Sequence, residues 1–340
     1  MQSPKEKKAI ELPAYNANII RALRSLKVVQ LKIRQPEKDE VLIKVVASPC
    51  NPSDIAFIQG GYRIVKSLPA IPGFEGTGIV VESGNHVIAK ELLGKRVSFF
   101  SQDDMEGAWS EYLTTKASNC IVSRDDLPTE QAACLFINPF TAYALFEIAL
   151  KNKARTIVIN AAAGQIGIFI QKLARNAGIT TINIVRKQKH IAYLKTIGER
   201  IVIDQTADNF GSALWSLTEE FQPTIALDAI GGEMTGTLMN NMPEGSKTIV
   251  YGGLSGLPIG NINPLDLIFD GKQLSGFNLN TWLAKLSRKK LDKVSTQLQE
   301  MIINQEIRTR VQGKATLEKI EPALMQYIRN MSDGKVLLTP

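Results

Sequence analysis

Short runs of apolar residues alternate with helical patterns through the central part of the chain. Residues 156–160 form the first run, and a turn of small residues joins it to a helical pattern that ends at Gly178. Two more apolar runs follow at residues 180–185 and 201–203, with a second helical pattern between them. Apolar runs of this length, bounded by turns and joined through helices, predict parallel strands that are buried on both faces.

The same alternation continues towards the carboxyl end. Further apolar runs at residues 224–229, 247–251 and 273–279 bring the predicted parallel strands to six. Six strands connected through helices are typical of a doubly wound α/β sheet with helices on both of its faces.

The amino-terminal third of the chain has a different pattern. Its predicted strands are separated by turns that contain Pro, Gly and Asp, and they fall at residues 27–31, 40–48, 76–83, 96–101 and 108–114. No helical pattern there is long enough to compete, and apart from the strand at residues 27–31 the first 35 residues follow no pattern that we can place. We predict a compact, mostly antiparallel β domain.

Two helical patterns, at residues 282–305 and 317–331, precede a short closing strand at residues 335–338. Apolar stripes with helical spacing are typical of core packing. We expect the closing strand to return to the amino-terminal β domain. That domain would then comprise residues 1–127 and 283–340, and the parallel-sheet domain would comprise residues 128–282.

The turn after the first parallel strand has the composition of a phosphate-binding turn. It is Ala161-Ala-Ala-Gly-Gln-Ile-Gly167, with Ala161 where a first glycine is usual. Small residues let the backbone approach a pyrophosphate, and the helix that follows presents free N–H groups and a positive dipole. Strand, turn, helix and strand in about 30 residues predict a dinucleotide-binding unit. The alternative is an ordinary tight strand-to-helix turn.

The residue after the second strand of this unit indicates which dinucleotide binds. Enzymes that use NAD usually have an acidic residue there for the ribose 2′-hydroxyl. This chain instead has Arg186, followed by Lys187 and Lys189. A planar guanidinium suits a 2′-phosphate, which a carboxylate would repel. The position favours NADPH over NADH, and the alternative is a solvated basic loop.

Composition and charge narrow the class of protein. With 340 residues, of which 44% are hydrophobic and 21% charged, the chain has the composition of a soluble globular protein with two domains. Its net charge of +7 comes partly from short basic clusters without interleaved aromatic residues, which do not indicate nucleic-acid binding. No secretory signal, no apolar run long enough to span a membrane and no C-x-x-C motif among the three cysteines are found. We expect a cytosolic protein without a membrane partner.

Two loops of the amino-terminal domain carry a family resemblance. The first contains Asn51-Pro-Ser-Asp54 and ends with Gly-Gly-Tyr62, and the second contains Pro72-Gly-Phe-Glu75. In its order of a β domain with these loops and then a dinucleotide-binding unit, the chain resembles the medium-chain dehydrogenase/reductase superfamily. The similarity covers nearly the whole chain from about residue 40. It implies an α/β protein with a GroES-like β-rich domain and a Rossmann domain, whose doubly wound parallel sheet has six strands.

Zinc-dependent members of that superfamily have a cysteine three residues before the aspartate of the first loop and a histidine in Pro-Gly-His-Glu. This chain has Asn51 and Phe74 at those positions. Neither offers the thiolate or imidazole that tetrahedral zinc prefers. No cysteine lies between Cys50 and Cys120, so the four-cysteine structural zinc lobe is absent as well. We predict that the protein binds no metal.

Among zinc-free members, the chain is similar to the mitochondrial-type 2-enoyl thioester reductases, in which a tyrosine of the matching segment is the proposed proton donor. Tyr62 occupies that segment here. A tyrosine near its ordinary pKa of about 10 is protonated at neutral pH, so it can give a proton but cannot readily take one. The resemblance thus implies that Tyr62 protonates the substrate after hydride transfer. The alternative is that Tyr62 packs over its loop or lines the nicotinamide pocket.

The resemblance also implies the other residues of the site. The predicted cofactor-binding residues are Asn51, Asn138, Thr141, Ala163, Gly164, Gln165, Ile166, Arg186, Tyr251, Gly252, Gly253, Leu254, Phe277 and Lys335. Phe74 and Trp282 are predicted to line the substrate pocket.

Four of the highlighted residues have alternative interpretations. Trp282 could be an ordinary core or dimer-contact residue, and Lys335 a surface lysine. Gln165 could either hydrogen-bond the pyrophosphate or crowd it. Asp228, which ends the fourth parallel strand, could contact the adenosine end of the cofactor or cap the next helix.

Three functions are compatible with these observations. The leading one is NADPH-dependent reduction of activated C=C bonds, with 2-enoyl thioesters as the substrate class. The second is an NADPH:quinone or alkenal oxidoreductase of the same zinc-free branch, which need not use Tyr62 as an acid. The third is a non-catalytic protein that retains NADPH binding. The resemblance further implies a homodimer formed through edge strands of two Rossmann sheets.

Overall fold

The structure, a computed structural model, describes residues 4–102 and 105–340. Its strands form two large sheets and a two-stranded one. In chain order they are β1 (Glu6–Glu11), β2 (Lys27–Lys32), β3 (Glu40–Pro49), β4 (Glu75–Ser83), β5 (Arg96–Phe100), β6 (Tyr112–Lys116), β7 (Cys120–Val122), β8 (Thr156–Ile159), β9 (Thr180–Val185), β10 (Ile201–Asp204), β11 (Ile225–Asp228), β12 (Lys247–Val250), β13 (Gln273–Gly276), β14 (Val311–Ala315) and β15 (Lys335–Leu338).

Helices lie between the strands along the whole chain. In chain order they are α1 (Ile19–Ser25), α2 (Pro52–Ile58), α3 (Val87–Leu92), α4 (Thr129–Ala133), α5 (Ile137–Lys151), α6 (Gln165–Asn176), α7 (Gln188–Thr196), α8 (Phe210–Phe221), α9 (Glu233–Asn241), α10 (Pro264–Ile268), α11 (Leu279–Ala284), α12 (Arg288–Ile303) and α13 (Ile320–Arg329).

The chain divides into two compact units. The antiparallel unit runs to Pro139 and resumes with Ser287–Pro340, and the parallel unit is Phe140–Leu286. The boundaries predicted from sequence, after residues 127 and 282, lie somewhat earlier in the chain. The first boundary between the two units, after Pro139, falls within helix α5.

The parallel unit contains the six-stranded sheet that the sequence predicted. Its order is β10-β9-β8-β11-β12-β13, and every neighbouring pair is parallel. The central strands β8 and β11 are buried along their whole length, which explains their continuous apolar runs. The order of the sheet reverses between β8 and β11, and in such sheets ligands bind at this switch point, outside the carboxyl ends of the strands.

A buried hydrogen-bond network ties the turn before α6 to the sheet. Gln171 of α6 donates through Nε2 to the carbonyl oxygen of Ala162 (2.9 Å) and to Oδ1 of Asn183 (2.8 Å). Asn183, within β9, donates to the carboxylate of Glu199 (2.9 Å), which also accepts from the hydroxyl of Thr181 (2.5 Å). Buried polar groups require such partners. The network therefore fixes the backbone of the turn relative to β9.

The antiparallel unit is built on a seven-stranded sheet in the order β14-β15-β3-β4-β5-β7, with β6 paired to β3. All of its pairs are antiparallel except β14 with β15. The closing strand β15 pairs with β3, as predicted, and lies between β3 and β14. Helices α1, α2 and α13 contribute to the main hydrophobic cluster of this unit, which also buries Phe74 and Trp109 completely.

The strand predicted at residues 27–31 is confirmed as β2, whereas its partner β1 was not predicted from sequence. Strands β1 and β2 pair antiparallel, with Ile10 opposite Val28. The lysines of β1 interrupt the alternation of apolar and polar residues by which a strand is predicted from sequence. The ammonium of Lys7 is nevertheless buried, and it donates to the carboxylate of Glu106 (2.5 Å) and to the carbonyl oxygen of Tyr112 (2.9 Å).

Two further predictions were wrong at their boundaries. The strand predicted at residues 108–114 begins only at Tyr112, because the chain before it turns against residues 71–73, where a Cβ on Gly107 would lie 2.1 Å from the Pro72 carbonyl oxygen. The helix predicted at residues 282–305 is two helices, α11 and α12. Ser287 separates them, since its hydroxyl accepts the N–H of Lys290 and so begins a new helix.

The helices and the cysteines were compared with the expectations from sequence. Within residues 4–102 and 105–340, no helix combines the length and the apolar character that a membrane crossing requires. Cys50, Cys120 and Cys134 are free thiols, and all three are buried.

Candidate active site

The turn before α6 has the geometry of a dinucleotide-binding turn. Ala161 has a φ of 47°, a left-handed conformation in which a glycine would be unstrained. Gly164 is the N-cap of α6, and its own N–H donates to the carbonyl oxygen of Ala161 (2.8 Å). A Cβ on Gly167 would lie 2.5 Å from the carbonyl oxygen of Ala162, so only glycine lets the helix lie this close to the turn.

The predicted pyrophosphate-binding residues lie together on this turn and on the first turn of α6. Ala163 is buried, whereas Gly164, Gln165 and Ile166 are partly exposed. The amino terminus of this 12-residue helix carries the positive end of the helix dipole. No side chain of the N-cap residue occupies it, so the residues present fit a bound pyrophosphate.

Arg186 follows directly after β9 and is exposed. Lys187, also exposed, is the N-cap of α7. In the parallel unit, the carboxyl end of β9 lies next to that of β8, from which the turn before α6 starts. The guanidinium is thus on the side of the switch point where the ribose of a dinucleotide is bound in sheets of this topology.

Asp228 ends β11 and holds the turn that follows it. Its Oδ1 accepts the side-chain amide of Asn160 (2.6 Å) and the N–H groups of Ile230 (2.8 Å) and Gly231 (3.0 Å), while Oδ2 accepts the hydroxyl of Thr235 (2.5 Å). Helix α9 has Gly232 as its N-cap, so Asp228 does not cap it. Both carboxylate oxygens of Asp228 accept hydrogen bonds, and the residue is completely buried. Asp228 therefore holds the turn after β11 in place at the edge of the site.

The turn after β12 packs on the turn after β11. Tyr251 donates its N–H to the carbonyl oxygen of Asp228 (2.8 Å), and Leu254 donates to that of Ala229 (3.1 Å). A Cβ on Gly252 would lie 2.6 Å from the Ala229 carbonyl oxygen, whereas one on Gly253 would meet no atom within 4 Å. Gly253 and Leu254 are exposed, and Tyr251 and Gly252 are partly exposed. The four predicted residues therefore form one surface at the carboxyl edge.

Three other predicted residues of the parallel unit lie after β13 or on α5. Phe277 is half-buried and donates its N–H to the carbonyl oxygen of Val250 (2.8 Å). Thr141, on α5, is buried. Trp282 is half-buried, and its ring lies 6.4 Å from the rings of both Phe140 and Tyr143.

In the antiparallel unit, Asn51 contacts one predicted site residue, Lys335, and one residue that was not predicted, Glu75. Its Nδ2 donates to Oε1 of Glu75 (2.9 Å), and its Oδ1 accepts the ammonium of Lys335. Asn51 and Glu75 have no more than 1% of their surface exposed, and Lys335 has 6%. The alternative of a surface position for Lys335 is therefore wrong.

Asp54 lies one turn into α2 from Asn51 and is completely buried. Its Oδ2 accepts the N–H of Asn51 (2.8 Å). Burial raises the pKa of Asp54 to about 7, opposed by this hydrogen bond and assisted by the negative charge of Glu75. Burial likewise raises the pKa of Glu75, while the nearby Lys335 opposes that shift. The sequence analysis assigned no role to either carboxyl group, although both stand beside the positions of the missing zinc ligands.

Tyr62 is half-buried against the main hydrophobic cluster. Its ring centroid lies 5.6 Å from that of Phe74, and the amide of Gln102 approaches its hydroxyl at 3.4 Å. Burial raises the pKa of the Tyr62 phenol, and the charge of Asp54 adds to the shift while Gln102 opposes it. Phe74 itself has no exposed surface, so its contact with a substrate stays a prediction.

The remaining predicted residue, Asn138, lies in the first turn of α5 and is 7% exposed. Within the antiparallel unit, Tyr62 lies against Phe74, and Asn51 binds Glu75 and Lys335. Across the described residues, no group of three His, Cys, Asp or Glu side chains is arranged to hold a metal ion. At the zinc-ligand positions, the amide of Asn51 is engaged by Glu75 and Lys335, and Phe74 offers no ligand atom.

Comparisons with known proteins agree with this architecture. Residues 37–125 match the alcohol dehydrogenase GroES-like domain, and residues 166–296 match the zinc-binding dehydrogenase family. The chain is 30% identical to a mitochondrial enoyl-[acyl-carrier-protein] reductase of Xenopus tropicalis over 288 residues, which are 82% of this chain and 81% of that protein.

Solved structures give the same result. A protein of Mesorhizobium loti assigned as an NADPH:quinone reductase superposes with a TM-score of 0.93 at 31% identity, covering 100% of both chains. A Bacillus thuringiensis protein with the same assignment has a TM-score of 0.86 at 26% identity, covering 98% of this chain and 99% of that one. The chain is therefore an oxidoreductase of the medium-chain dehydrogenase/reductase family and belongs to its zinc-free branch.

Proposed function

We propose that the protein is an NADPH-dependent reductase of activated C=C bonds and that 2-enoyl thioesters are its substrate class. The observation that carries the proposal is the environment of Tyr62. A protonated phenol lies among apolar side chains, in ring contact with Phe74, which stands at a zinc-ligand position of zinc-dependent members. The 30% identity to an enoyl-[acyl-carrier-protein] reductase supports the choice of substrate class.

The parallel unit would hold the cofactor. The N–H groups at the start of α6 bind the pyrophosphate, and Gly164 leaves room for it. Arg186 binds the 2′-phosphate of NADPH through its planar guanidinium. When bound, the cofactor supplies a hydride to the β carbon of the enoyl thioester.

Tyr62 would then donate a proton to the substrate. As the β carbon is reduced, negative charge builds on the thioester oxygen, and the α carbon must receive a proton. Because its pKa is raised above 10, the phenol is protonated throughout the neutral range and is ready to donate. General acid catalysis of this kind is worth about 10²–10⁴-fold in rate. Gln102 steadies the hydroxyl through its side-chain amide.

A quinone is the second candidate acceptor. The similarity to the assigned NADPH:quinone reductase of Mesorhizobium loti covers the whole chain, so the cofactor chemistry would be shared. A quinone takes up its protons on oxygen and can obtain them from water, so its reduction does not depend on Tyr62 as an acid.

We also propose a homodimer formed through the parallel unit. Strand β13 is at the edge of its sheet, and an exposed edge needs cover. The segment just before it exposes large apolar side chains, among them Leu257 (65%), Ile268 (67%) and Phe269 (74%). Exposed apolar residues concentrated in one segment are typical of an interface. A second copy of the chain would cover both features.

The acceptor can be tested by following NADPH oxidation with a crotonyl thioester and with a simple quinone. The variant Tyr62→Phe should lose about 10²–10⁴-fold of its activity on the thioester and little on the quinone. Tyr112→Phe, at a half-buried tyrosine of β6, is the matched control and should match the wild type.

Turnover of the quinone alone would replace the enoyl reductase with the second candidate. Tight NADPH binding without turnover of any acceptor would instead favour a non-catalytic NADPH-binding protein.

A further inference from the structure

Two carboxyl groups and one ammonium group are buried in the cluster around Asn51. Asp54 comes from α2, Glu75 from the start of β4 and Lys335 from β15, and their exposed fractions are 0%, 1% and 6%. If all three were ionised, the cluster would carry one excess negative charge away from water. Isolated buried charge is among the most unfavourable features that a protein interior can hold.

The hydrogen bonds show which carboxyl group is better supplied with donors. Glu75 accepts one at each oxygen, from Nδ2 of Asn51 (2.9 Å) and from the N–H of Ile137 (2.9 Å). Asp54 accepts the N–H of Asn51 at Oδ2, whereas its buried Oδ1 has no partner within residues 4–102 and 105–340. A charged oxygen without a donor costs more than a neutral one. The excess proton therefore belongs on Asp54.

The other titratable groups near Asp54 do not supply a compensating positive charge. They come from the segments before and after α2 and from α13, and they are Cys50, Tyr62 and Tyr327. Burial raises the pKa of the Cys50 thiol and of both phenols, so all three are neutral at neutral pH. Among the residues that the structure describes, Lys335 is the cation that acts on Asp54, and it acts on Glu75 as well.

We propose that Asp54 carries a proton in the active protein, and that loss of this proton slows reduction by making Tyr62 a poorer proton donor. The proposal rests on the proposed function, in which Tyr62 is the acid. Asp54 touches no reacting atom in this scheme. It is a positioning residue that acts on Tyr62 through its charge. Ionised Asp54 places a negative charge near Tyr62, and protonated Asp54 places none.

The physical link is electrostatic. An ionised Asp54 raises the pKa of the Tyr62 phenol and so weakens it as an acid. The same charge opposes the negative charge that develops on the substrate oxygen. Because the pKa of Asp54 is about 7, the change falls within the physiological range. The rate of thioester reduction should consequently decline as the pH rises through neutrality.

The proton on Asp54 can be observed without any turnover. Infrared difference spectra of the wild type against Asp54→Asn should show the C=O stretch of a protonated carboxyl group at about pH 6, and the band should be lost by about pH 9. The control Asp125→Asn, at an exposed aspartate of the same unit, should leave the band in place. Absence of the band at about pH 6 would overturn the proposal.

The kinetic link is tested by the pH profile of kcat/KM for the thioester. The wild type should lose up to tenfold per pH unit above about pH 7, whereas Asp54→Asn, which stays neutral, should show a flat profile over the same interval. An Asp54→Asn variant that declines like the wild type, or a folded variant inactive at every pH, would overturn it.

Two further outcomes are also decisive. If Asp54→Asn does not fold, the wild type alone must lose its infrared band and its activity over the same pH interval, and a band that persists to about pH 9 refutes the proposal. If no acceptor is turned over at all, the proposed function and the kinetic link fall together, while the infrared band still decides where the proton is.

Discussion

The ammonium of Lys335 donates a hydrogen bond to the side-chain oxygen of Asn51, across 284 residues of sequence. Asn51 in turn donates to Glu75, so three segments of the antiparallel unit meet at a single amide. The contact makes β15 an electrostatic part of the candidate site as well as a strand of the sheet. Loss of the Lys335 ammonium should therefore affect Asn51 and Glu75 as well as β15 itself.

We expect Lys335→Met to lower the free energy of unfolding by about 2–4 kcal/mol, because it leaves a buried carboxylate without its cation. Lys314→Met on the neighbouring strand β14 is the control. Lys314 pairs with Glu130 at the surface, and such pairs are worth about 0–1 kcal/mol. Urea denaturation followed by circular dichroism measures both, and equal losses would contradict the buried role of Lys335.

Arg186 should set the preference for the phosphorylated cofactor. Arg186→Ala removes charge-assisted hydrogen bonds worth about 1.5–3 kcal/mol, so KM for NADPH should rise about 10–100-fold while KM for NADH is unchanged. Arg200→Ala, at another exposed arginine of the parallel unit, should change neither value. A parallel rise for both cofactors would argue that Arg186 has only a general effect on the fold.

Gly167 and Gly211 form a matched pair, since each lies near the start of a helix. A Cβ on Gly167 meets the Ala162 backbone at 2.5 Å, whereas one on Gly211 meets nothing within 4 Å. Gly167→Ala should lower Tm and weaken dinucleotide binding, at a cost of about 1–3 kcal/mol. Gly211→Ala should be stabilising by about 0.5–1 kcal/mol. Thermal unfolding with and without NADPH distinguishes the two variants. Similar changes of Tm in both would refute the close approach of Gly167 to the Ala162 backbone.

Ala161 holds a left-handed conformation that an alanine adopts only with strain. Replacing it with glycine should raise the free energy of unfolding by about 0.5–1 kcal/mol, since relief of the strain exceeds the added chain entropy. Ala177→Gly, at a residue with a φ of −98°, should have the opposite effect. Urea midpoints measure both changes, and a loss of stability in Ala161→Gly would show that the turn adopts another conformation.

Stability should depend on pH through Asp54. Its pKa is about 7 in the folded protein and about 4 in an unfolded chain. Between these values the folded state holds a proton that the unfolded state has released, so the free energy of unfolding falls as the pH rises, by at most about 1.4 kcal/mol per unit. Above about pH 7 the contribution of Asp54 is constant.

Urea denaturation between about pH 4 and about pH 9 measures this dependence. Asp54→Asn should lose most of the slope and keep a smaller one of the same sign, because the pKa of Glu75 is also raised. Asp125→Asn should keep the full slope. A wild type whose stability increases with pH across this range would contradict a protonated Asp54.

The parallel unit was predictable because its strands are buried on both faces, which leaves an unbroken apolar run in the sequence. Strand β9 was located to the residue, and Gly178 was correctly identified as the end of the first helical pattern. Strand β2 was predicted, but its antiparallel partner β1 was not, because the burial of Lys7 in β1 depends on Glu106, about a hundred residues away. The break at Ser287 was overlooked because apolar spacing continues across it.

The site shows the same division. The places of Gly164, at the N-cap of α6, and Arg186, directly after β9, could be predicted because local sequence determines where helices begin and strands end; their contacts with a cofactor stay predictions. The hydrogen bonds of Asn51 with Glu75 and Lys335 could not be, because they join residues from three segments. Glu75 did carry a signal, as a charged residue in an otherwise small and apolar stretch, Gly73-Phe-Glu-Gly76.

The position of β15 inside its sheet also has a consequence for synthesis on the ribosome. The parallel unit, Phe140–Leu286, is translated whole before β14 and β15. Until β15 has been translated, β3 lacks one of its neighbouring strands, and Asn51 and Glu75 lack the ammonium of Lys335. We predict that chains truncated before Val311 and released from the ribosome resist protease within residues 140–286 and are cleaved around Asn51. Equal protection of both regions would show that β15 completes its unit late but is not required for it to fold.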